Sequence, residues 1–328
     1  RWTGPQRMRT PWLLFPGSSS VVPEPFGSVL VIGPWNYPLQ LVLAPAVAAL
    51  AAGNCVVLKP SELAPATSKV IADIVGNTFD PEVMAVVEGG VEPTQALIHQ
   101  DFDYLFFTGG TKIGRIVMAA AAENLTPVTL ELGGKNPCIV AADADIATAA
   151  KRIAWGKFFN AGQTCIAPDF VLVEKAAERE FLDAMGRTLA KFYGSDPAAS
   201  PHYARIVNER HFDRLAGYLD RGEIVAGGKA DRAARYIAPT VLTGVTWDDP
   251  VMADEIFGPV LPVFAYDDLD AELAMLQQRP KPLALYLFTA DEAAQDKVLR
   301  TVSSGGAAVN DVFAQWLNPD LPFGGVGE

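Results

Sequence analysis

Between residues 26 and 132, short apolar runs alternate with longer segments of helical character, and most of the runs are apolar throughout rather than at every second position. The runs are FGSVLVIG (26 to 33), CVVLKP (55 to 60), VMAVVEG (83 to 89) and DYLFFTGG (103 to 110). The intervening segments LQLVLAPAVAALAAGN, APATSKVIADIVG, EPTQALIHQ and TKIGRIVMAAAAEN read as helices. A strand that is apolar on both faces needs cover on both sides, so the alternation predicts a parallel sheet between two helical layers. From Lys135 a second set begins, with the strands PCIVAAD, DFVLVEK, YIAPTVLTGV, GPVLPVFAY, LALYLFTA and GAAVN. Helices are expected over DIATAAKRIAWGKFF, around 176 to 193, near 269 to 279 and over 291 to 303. The expected architecture is two doubly wound α/β domains with mostly parallel sheets, over residues 26–133 and 134–328. Residues 1–25, with Arg1, Arg7, Arg9, frequent prolines and a GSSS run, should be extended or irregular. No long linker separates the halves, so a site in the cleft between them is the default expectation.

Half of the 328 residues are hydrophobic, enough for two large cores, and the formal net charge is −12. An acidic chain without clustered Lys and Arg does not suit nucleic acid or an anionic membrane. The longest apolar stretch, Leu39 to Ala52, contains Pro45 and is shorter than the roughly 20 residues a membrane span requires. No signal peptide is evident. The three cysteines, Cys55, Cys138 and Cys165, show neither disulfide nor metal spacing, so no metal site is expected and the usage is that of a reducing compartment, the cytoplasm. Cys55 and Cys138 sit in apolar runs and are read as core.

Cys165 is different, because its neighbours are Asn160, Gly162, Gln163 and Thr164. A free thiol is most often packed in a core. One in a polar, glycine-containing loop is instead placed to act as thiolate nucleophile, which needs N–H donors and access. The only histidines are His99, His202 and His211, none near it in sequence, although a distant one could fold in. Glu131, 34 positions upstream in ELGGKNP, is then the natural candidate for base. Its bland alternative is an ion pair, for instance with Lys135.

Asn36 lies between two prolines in PWNYP. It reads either as a helix N-cap, a favoured place for asparagine, or as an amide donor to the oxyanion that Cys165 would create on a carbonyl, a role worth about 3 to 4 kcal/mol. The turn FTGGTKIG carries Gly109, Gly110 and Gly114 from a strand into a helix, where N–H groups and a positive helix end suit a pyrophosphate. Such turns are common without any ligand, and this one is not the GxGxxG fingerprint. Lys59 and Glu62 follow a strand at the edge where parallel sheets present residues to ligands, though surface charges there are commonplace. Trp35, Tyr37, Phe158, Phe159 and Trp316 are aromatic residues available to line an apolar entrance, against the ordinary alternative of core packing.

Taken together, ELGGKNP, NAGQTC, EIFGP (255 to 259), PWNYP and LPFGGVG (321 to 327) resemble the aldehyde dehydrogenase superfamily, in the family's order, from about residue 20 to the end. The wording is nearest the class-3-like branch that oxidises fatty and aromatic aldehydes. The resemblance implies Cys165 as nucleophile, Glu131 as the base that activates water, and Asn36 as oxyanion donor. It assigns Lys59 and Glu62 to the adenosine ribose, the glycine turn to phosphate, and Glu255 and Phe257 to the nicotinamide end. Without the resemblance, EIFGP would read as a turn before Pro259 with a core phenylalanine. Lys135 and Asn310 match positions that are structural or near the site. NAD is the expected cofactor, with NADP accepted by related enzymes. The implied reaction passes through a thiohemiacetal and a thioester to a free acid, and a carboxylate at Glu131 favours hydrolysis over transfer to coenzyme A. No arginine pair stands out for a dicarboxylic substrate, so a medium-chain aliphatic or aromatic aldehyde is expected.

The alternatives are a coenzyme A-acylating relative, a thiol esterase, and a non-catalytic protein that keeps the scaffold. Against the last stands the retention of Cys165, Glu131 and Asn36 together. The chain opens at Arg1 and stops just after LPFGGVG, and it reads as a piece of a longer protein. By resemblance, residues 1–25 lie against a partner subunit. The expectation is a homodimer when full length, with residues 1–328 alone associating poorly.

Overall fold

A computed structural model describes residues 4–327. The chain forms two compact units, residues 1–131 and 132–328. In the first, β1 (Gln6–Met8) and β2 (Ser19–Val21) pair antiparallel, so the segment expected to be extended or irregular contains a small ribbon. The sheet proper consists of β3 (Ser28–Ile32), β4 (Cys55–Lys59), β5 (Met84–Val86), β6 (Tyr104–Thr108) and β7 (Val128–Glu131). Its order is β5-β4-β3-β6-β7 and every pairing is parallel. Connecting these strands are α1 (Gln40–Ala51), α2 (Pro65–Thr78), α3 (Val91–Ile98) and α4 (Thr111–Glu123).

The continuous apolar strands are explained by two-sided burial. Val29 and Val31 join Val42 and Ala46 of α1 and Ile71 and Val75 of α2 in one core, while Leu30 and Leu105 are buried as well. Burying a side chain of this size contributes about 1.5 to 3 kcal/mol. β7 was not anticipated, since its VTLE is short and half polar, yet its pairing with β6 sets Glu131 opposite Thr108. The chain runs from β3 outward to β4 and β5, then returns to the other side for β6 and β7, so the order reverses between β3 and β6. At such a reversal the loops leaving the carboxyl ends of the strands part and open a crevice.

The second unit is built on a seven-stranded sheet of order β10-β13-β14-β9-β8-β15-β16. Its strands are β8 (Pro137–Val140), β9 (Phe170–Glu174), β10 (Glu223–Ala226), β13 (Thr240–Thr243), β14 (Val260–Tyr266), β15 (Ala284–Phe288) and β16 (Gly306–Val309), while β11 (Ala230–Asp231) and β12 (Tyr236–Ile237) make a separate ribbon. All pairings in the large sheet are parallel except the edge strand β10 on β13. The expected strand over YIAPTVLTGV is therefore two short ones, broken at Ala238 and Pro239. Proline cannot donate to a ladder. The helices are α5 (Ile146–Phe158), α6 (Glu178–Tyr193), α7 (Glu209–Ala216), α8 (Pro250–Ala253), α9 (Leu269–Gln277), α10 (Glu292–Thr301) and α11 (Ala314–Leu317).

Gly33, at the end of β3, fixes how α1 seats on the first sheet. A Cβ there would collide with the buried side chain of Val42, a stiff β-branched residue. Gly33→Ala is expected to cost about 1–3 kcal/mol in urea unfolding, and adding Val42→Ala should recover part of that loss.

Candidate active site

In the first unit, the residues singled out from sequence collect at the carboxyl edge of the sheet. Asn36 lies in the bend between β3 and α1, Lys59 ends β4 with Glu62 just beyond, Gly109 and Gly110 follow β6, and Glu131 ends β7. Backbone bonds tie the edge together, from Gly33 N to the Lys59 carbonyl at 3.1 Å and from Gly109 N to the Glu131 carbonyl at 3.0 Å. Asn36 is not a helix cap, because the N-cap of α1 is Leu39. Trp35, Asn36 and Tyr37 are all partly buried.

Lys59 is no surface charge. It is 2 % exposed, and its ammonium donates to the Pro60 carbonyl at 2.7 Å. Burial pulls its pKa down, and the nearby exposed carboxylate of Glu62 opposes that shift. The half-buried Glu131 carboxyl is pushed up to about 7 by loss of water. That range suits a general base near neutrality. At the glycine turn, α4 starts from Gly110 with no side-chain cap and no acid in its first turn, and the space beside Gly110 is open. Thirteen residues of helix thus end in N–H groups and a positive dipole with room for an anion. Gly114 is buried one turn inside.

In the second unit, the candidate residues collect at the amino edge of the sheet instead. Cys165 lies between α5 and β9, Glu255 and Phe257 precede β14, and Lys135 and Asn136 precede β8. After α5 the chain turns through three left-handed residues, Asn160 (φ 50°), Ala161 (φ 52°) and Gly162 (φ 74°). Such a conformation costs an ordinary residue roughly 1–2 kcal/mol, so something must hold it. Gln163, 2 % exposed, does so by donating to the carbonyls of Asn160 and Arg205 at 3.0 Å and accepting from Val207 N at 3.0 Å. Gly162 also abuts the Gly258 carbonyl so closely that no side chain would fit.

The carbonyls of residues 165, 166 and 167 are each taken by a side chain. The amide of Asn136 donates to Cys165 O at 2.8 Å and Ala167 O at 2.9 Å, and the Tyr286 hydroxyl donates to Ile166 O at 2.6 Å. Asn136 in turn accepts from Ala284 N at 2.8 Å, which anchors the loop to β15. Cys165 itself is partly buried, whereas Cys138 is fully buried and its thiol pKa pushed up by burial. Cys55, expected in the core, is exposed, because it is the first residue of its strand and lies at the rim.

Asp169 organises the charges. One oxygen takes the Lys135 ammonium at 2.6 Å; the other accepts from Ile256 N at 3.0 Å and faces the Lys157 ammonium at 3.8 Å. Lys135 completes its three donors on the carbonyls of Val251 (2.9 Å) and Asp254 (3.0 Å), so its role is structural. Lys157 is fully buried, and burial lowers its pKa to about 8 against the attraction of Asp169. Glu255 is pushed up to about 8, first by burial and then by Asp169, while Gly134 N–H, Lys157 and Lys135 favour its charged form. Its carboxylate lies over Gly133, where any side chain would strike it. Arg214 holds the Ile256 carbonyl at 2.7 Å, and Phe257 follows in a left-handed conformation.

Of the proposed aromatic lining, Phe158 is core at 1 % exposure, while Phe159 and Trp316 are well exposed. Trp155, missed from sequence, meets Phe159 at a tilt (ring centroids 5.8 Å apart) and Phe313 edge-on (5.3 Å). Asn310 bridges to Thr289 through both its amide atoms, at 3.0 Å each, a structural role. Lys157 could have been found as well. Ile146, Ala149, Ala150, Ile153, Ala154 and Lys157 share one helical stripe, so its charge falls on the buried face. Among the described residues no cluster of His, Cys, Asp or Glu could hold a metal ion.

The first unit offers a carboxyl sheet edge with an uncapped helix start that leaves room for an anion, and the second a thiol loop fixed by side-chain bonds. The chain belongs to the aldehyde dehydrogenase family, whose sequence profile it matches over residues 15–328. It is 50 % identical over 328 residues to 4,4'-diaponeurosporen-aldehyde dehydrogenase of Staphylococcus aureus, covering 99 % of this chain and 72 % of that one. It is also 50 % identical over 310 residues to human aldehyde dehydrogenase family 3 member B1, covering 94 % of this chain but 66 % of the relative. Among solved structures, substrate-bound Staphylococcus aureus AldH superposes with a TM-score of 0.96 at 50 % identity, over 99 % of this chain and 72 % of that one. A Mycobacterium tuberculosis aldehyde dehydrogenase complexed with NAD+ gives 0.88 at 31 % identity, over 99 % and 68 % respectively.

The charge arrangement makes a contrast testable by urea unfolding. Asp169→Asn leaves the fully buried Lys157 and the partly buried Lys135 without their counter-ion and should cost about 3–5 kcal/mol. Lys157→Met removes an ammonium with no hydrogen-bond partner and should be neutral or stabilising.

Proposed function

We propose that the protein oxidises an aldehyde to its carboxylic acid with NAD, or NADP, as acceptor. The observation that carries the reading is the Cys165 loop, whose carbonyls at 165, 166 and 167 are fixed by Asn136 and Tyr286 on a partly buried thiol. A loop held in this way keeps a nucleophile in one place through a reaction that must use it twice.

The Cys165 thiolate adds to the aldehyde carbon, and the carbonyl electrons move to oxygen. Asn36 and the Cys165 N–H stabilise that oxyanion. When bound, the nicotinamide supplies the acceptor for the hydride that converts the thiohemiacetal to a thioester on Cys165. Glu131, ionised above about 7, removes a proton from water as it attacks the thioester, and the thiol leaves. The acid is released and Cys165 is free again. Lys59 and Glu62 would hold the adenosine ribose, the uncapped start of α4 at Gly109 and Gly110 the pyrophosphate, and Glu255 and Phe257 the nicotinamide end. The open space at Gly110 and the absence of acid in the first turn of α4 support the phosphate assignment.

The preferred substrates are aryl or medium-chain aliphatic aldehydes. Supporting this are the exposed rings of Phe159 and Trp316 and, in the first unit, Trp35 and Tyr37. The first unit serves as cofactor domain and the second as catalytic domain. The protein works as a homodimer, for which the exposed run Trp12 to Phe15 offers apolar surface. Its compartment is the cytoplasm, in keeping with three free cysteines, and no helix among the described residues is long and apolar enough to cross a membrane.

Benzaldehyde and NAD should yield reduced cofactor and free benzoic acid without coenzyme A, and Cys165→Ala should yield neither. Product that appears only when coenzyme A is supplied contradicts the hydrolytic route. Because Glu131 acts as a carboxylate, thioester hydrolysis should rise with pH through a single ionisation near 7 and be lost below it. A pH series of single-turnover acid release, in wild type and Glu131→Gln, checks this; the variant should lose that limb. Asn36→Ala should lower kcat by about 100- to 1,000-fold.

A further inference from the structure

Tyr286 is the middle residue of β15, next to the edge strand of the second sheet, opposite Cys138 of β8 and Ala308 of β16, and is fully buried. Packing would be satisfied by phenylalanine. The hydroxyl, however, has three partners: it donates to Ile166 O at 2.6 Å and accepts from Gln315 Nε2 at 3.1 Å and from the Phe313 N–H. A phenol has one donor and two acceptor positions, so its capacity is filled. Burial pushes its ionisation well up, which keeps the proton available for Ile166.

What lies at each end of this bridge matters more than its strength. One end is the residue directly after the nucleophile, in a loop that follows three left-handed residues. The other is the segment from Phe313 to Trp316, itself entered through a left-handed Phe313 at φ 68°. The Phe313 ring meets Trp155, and Trp155 meets Phe159, which starts the turn leading back to Cys165. The thiol loop and the aromatic wall are thus joined twice, by rings that run from exposed Phe159 to buried Phe313 and by one buried hydroxyl.

Resting on the aldehyde-oxidation reading above, we infer that Tyr286 is a positioning residue: through Ile166 it fixes the attack geometry of Cys165, and through Phe313 and Gln315 it couples that geometry to the aromatic wall that receives the acyl group. A misplacement of the nucleophile by about an ångström is enough to cost on the order of 100-fold in rate. Tyr286 touches neither substrate nor cofactor in this account.

The test compares wild type, Tyr286→Phe, Gln315→Leu and the double variant, with kcat expressed per Cys165 alkylated by iodoacetamide, read on its own peptide because Cys55 is exposed too, and Tm recorded alongside. Tyr286→Phe should lower kcat for benzaldehyde by about 10- to 100-fold while KM changes less than about threefold. Gln315→Leu should lower the same parameter less. The double variant should be no worse than Tyr286→Phe alone, since both act through one hydroxyl. A purely structural role predicts lower Tm with kcat per reactive thiol within twofold of wild type, and that result overturns the inference. Should Tyr286→Phe fail to fold, Gln315→Leu decides: unchanged kcat overturns, reduced kcat supports. A wild type that oxidises no aldehyde refutes the function and not this coupling, which is then read from the iodoacetamide rate on Cys165; equal rates in wild type and Tyr286→Phe overturn it.

Discussion

The second unit depends on one buried carboxylate. Asp169 sits at the amino end of β9, 4 % exposed, and with a single side chain fixes the entry to β8 through Lys135 and the start of EIFGP through Ile256 N, while meeting α5 at Lys157. Two cations and one N–H around a dry carboxylate satisfy it well. Lys157 is less well served, with no hydrogen bond and a pKa drawn down to about 8. Removing the carboxylate would strand Lys157, leave Lys135 on its two carbonyls, and release the Ile256 N–H beside Glu255.

The two units present opposite edges of their sheets. In the first, the loops that leave the carboxyl ends of β3, β4, β6 and β7 carry Asn36, Lys59, the glycine turn and Glu131, as expected for a parallel sheet at its reversal point. In the second, Cys165, Glu255 and Asn136 all precede strands. Helices arrive at that edge by their negative carboxyl ends and offer it no free N–H groups, so the chain builds the loop from side-chain bonds and left-handed turns. Ala161 at φ 52° is tolerated because Gln163, Asn136 and Tyr286 determine the path on both sides of it.

Much of this was legible in the sequence. Continuous apolar strands separated by helices gave two parallel sheets, and glycine-flanked Cys165 and Glu131 stood out against the apolar background. Three features were hidden for physical reasons. VTLE at 128–131 is too short and too polar to read as a strand, and it becomes one only by pairing with β6. Gln163, Asn136 and Tyr286 look ordinary because their work is hydrogen bonding to backbone groups, most of them distant in sequence, up to 148 positions for the Ala284 N–H that Asn136 accepts. Cys55 looked buried because strand patterning says nothing about the rim of a sheet. Lys157, by contrast, was readable from its helical stripe.

The central claim is that Cys165 carries the acyl group and Glu131 releases it. Intact-protein and peptide mass measurement of the Glu131→Gln variant, after reaction with benzaldehyde and NAD, tests it most directly. The account predicts one benzoyl group retained on the peptide containing Cys165. Reduced cofactor formed with no acyl group on that peptide, or with one on another residue, would contradict it.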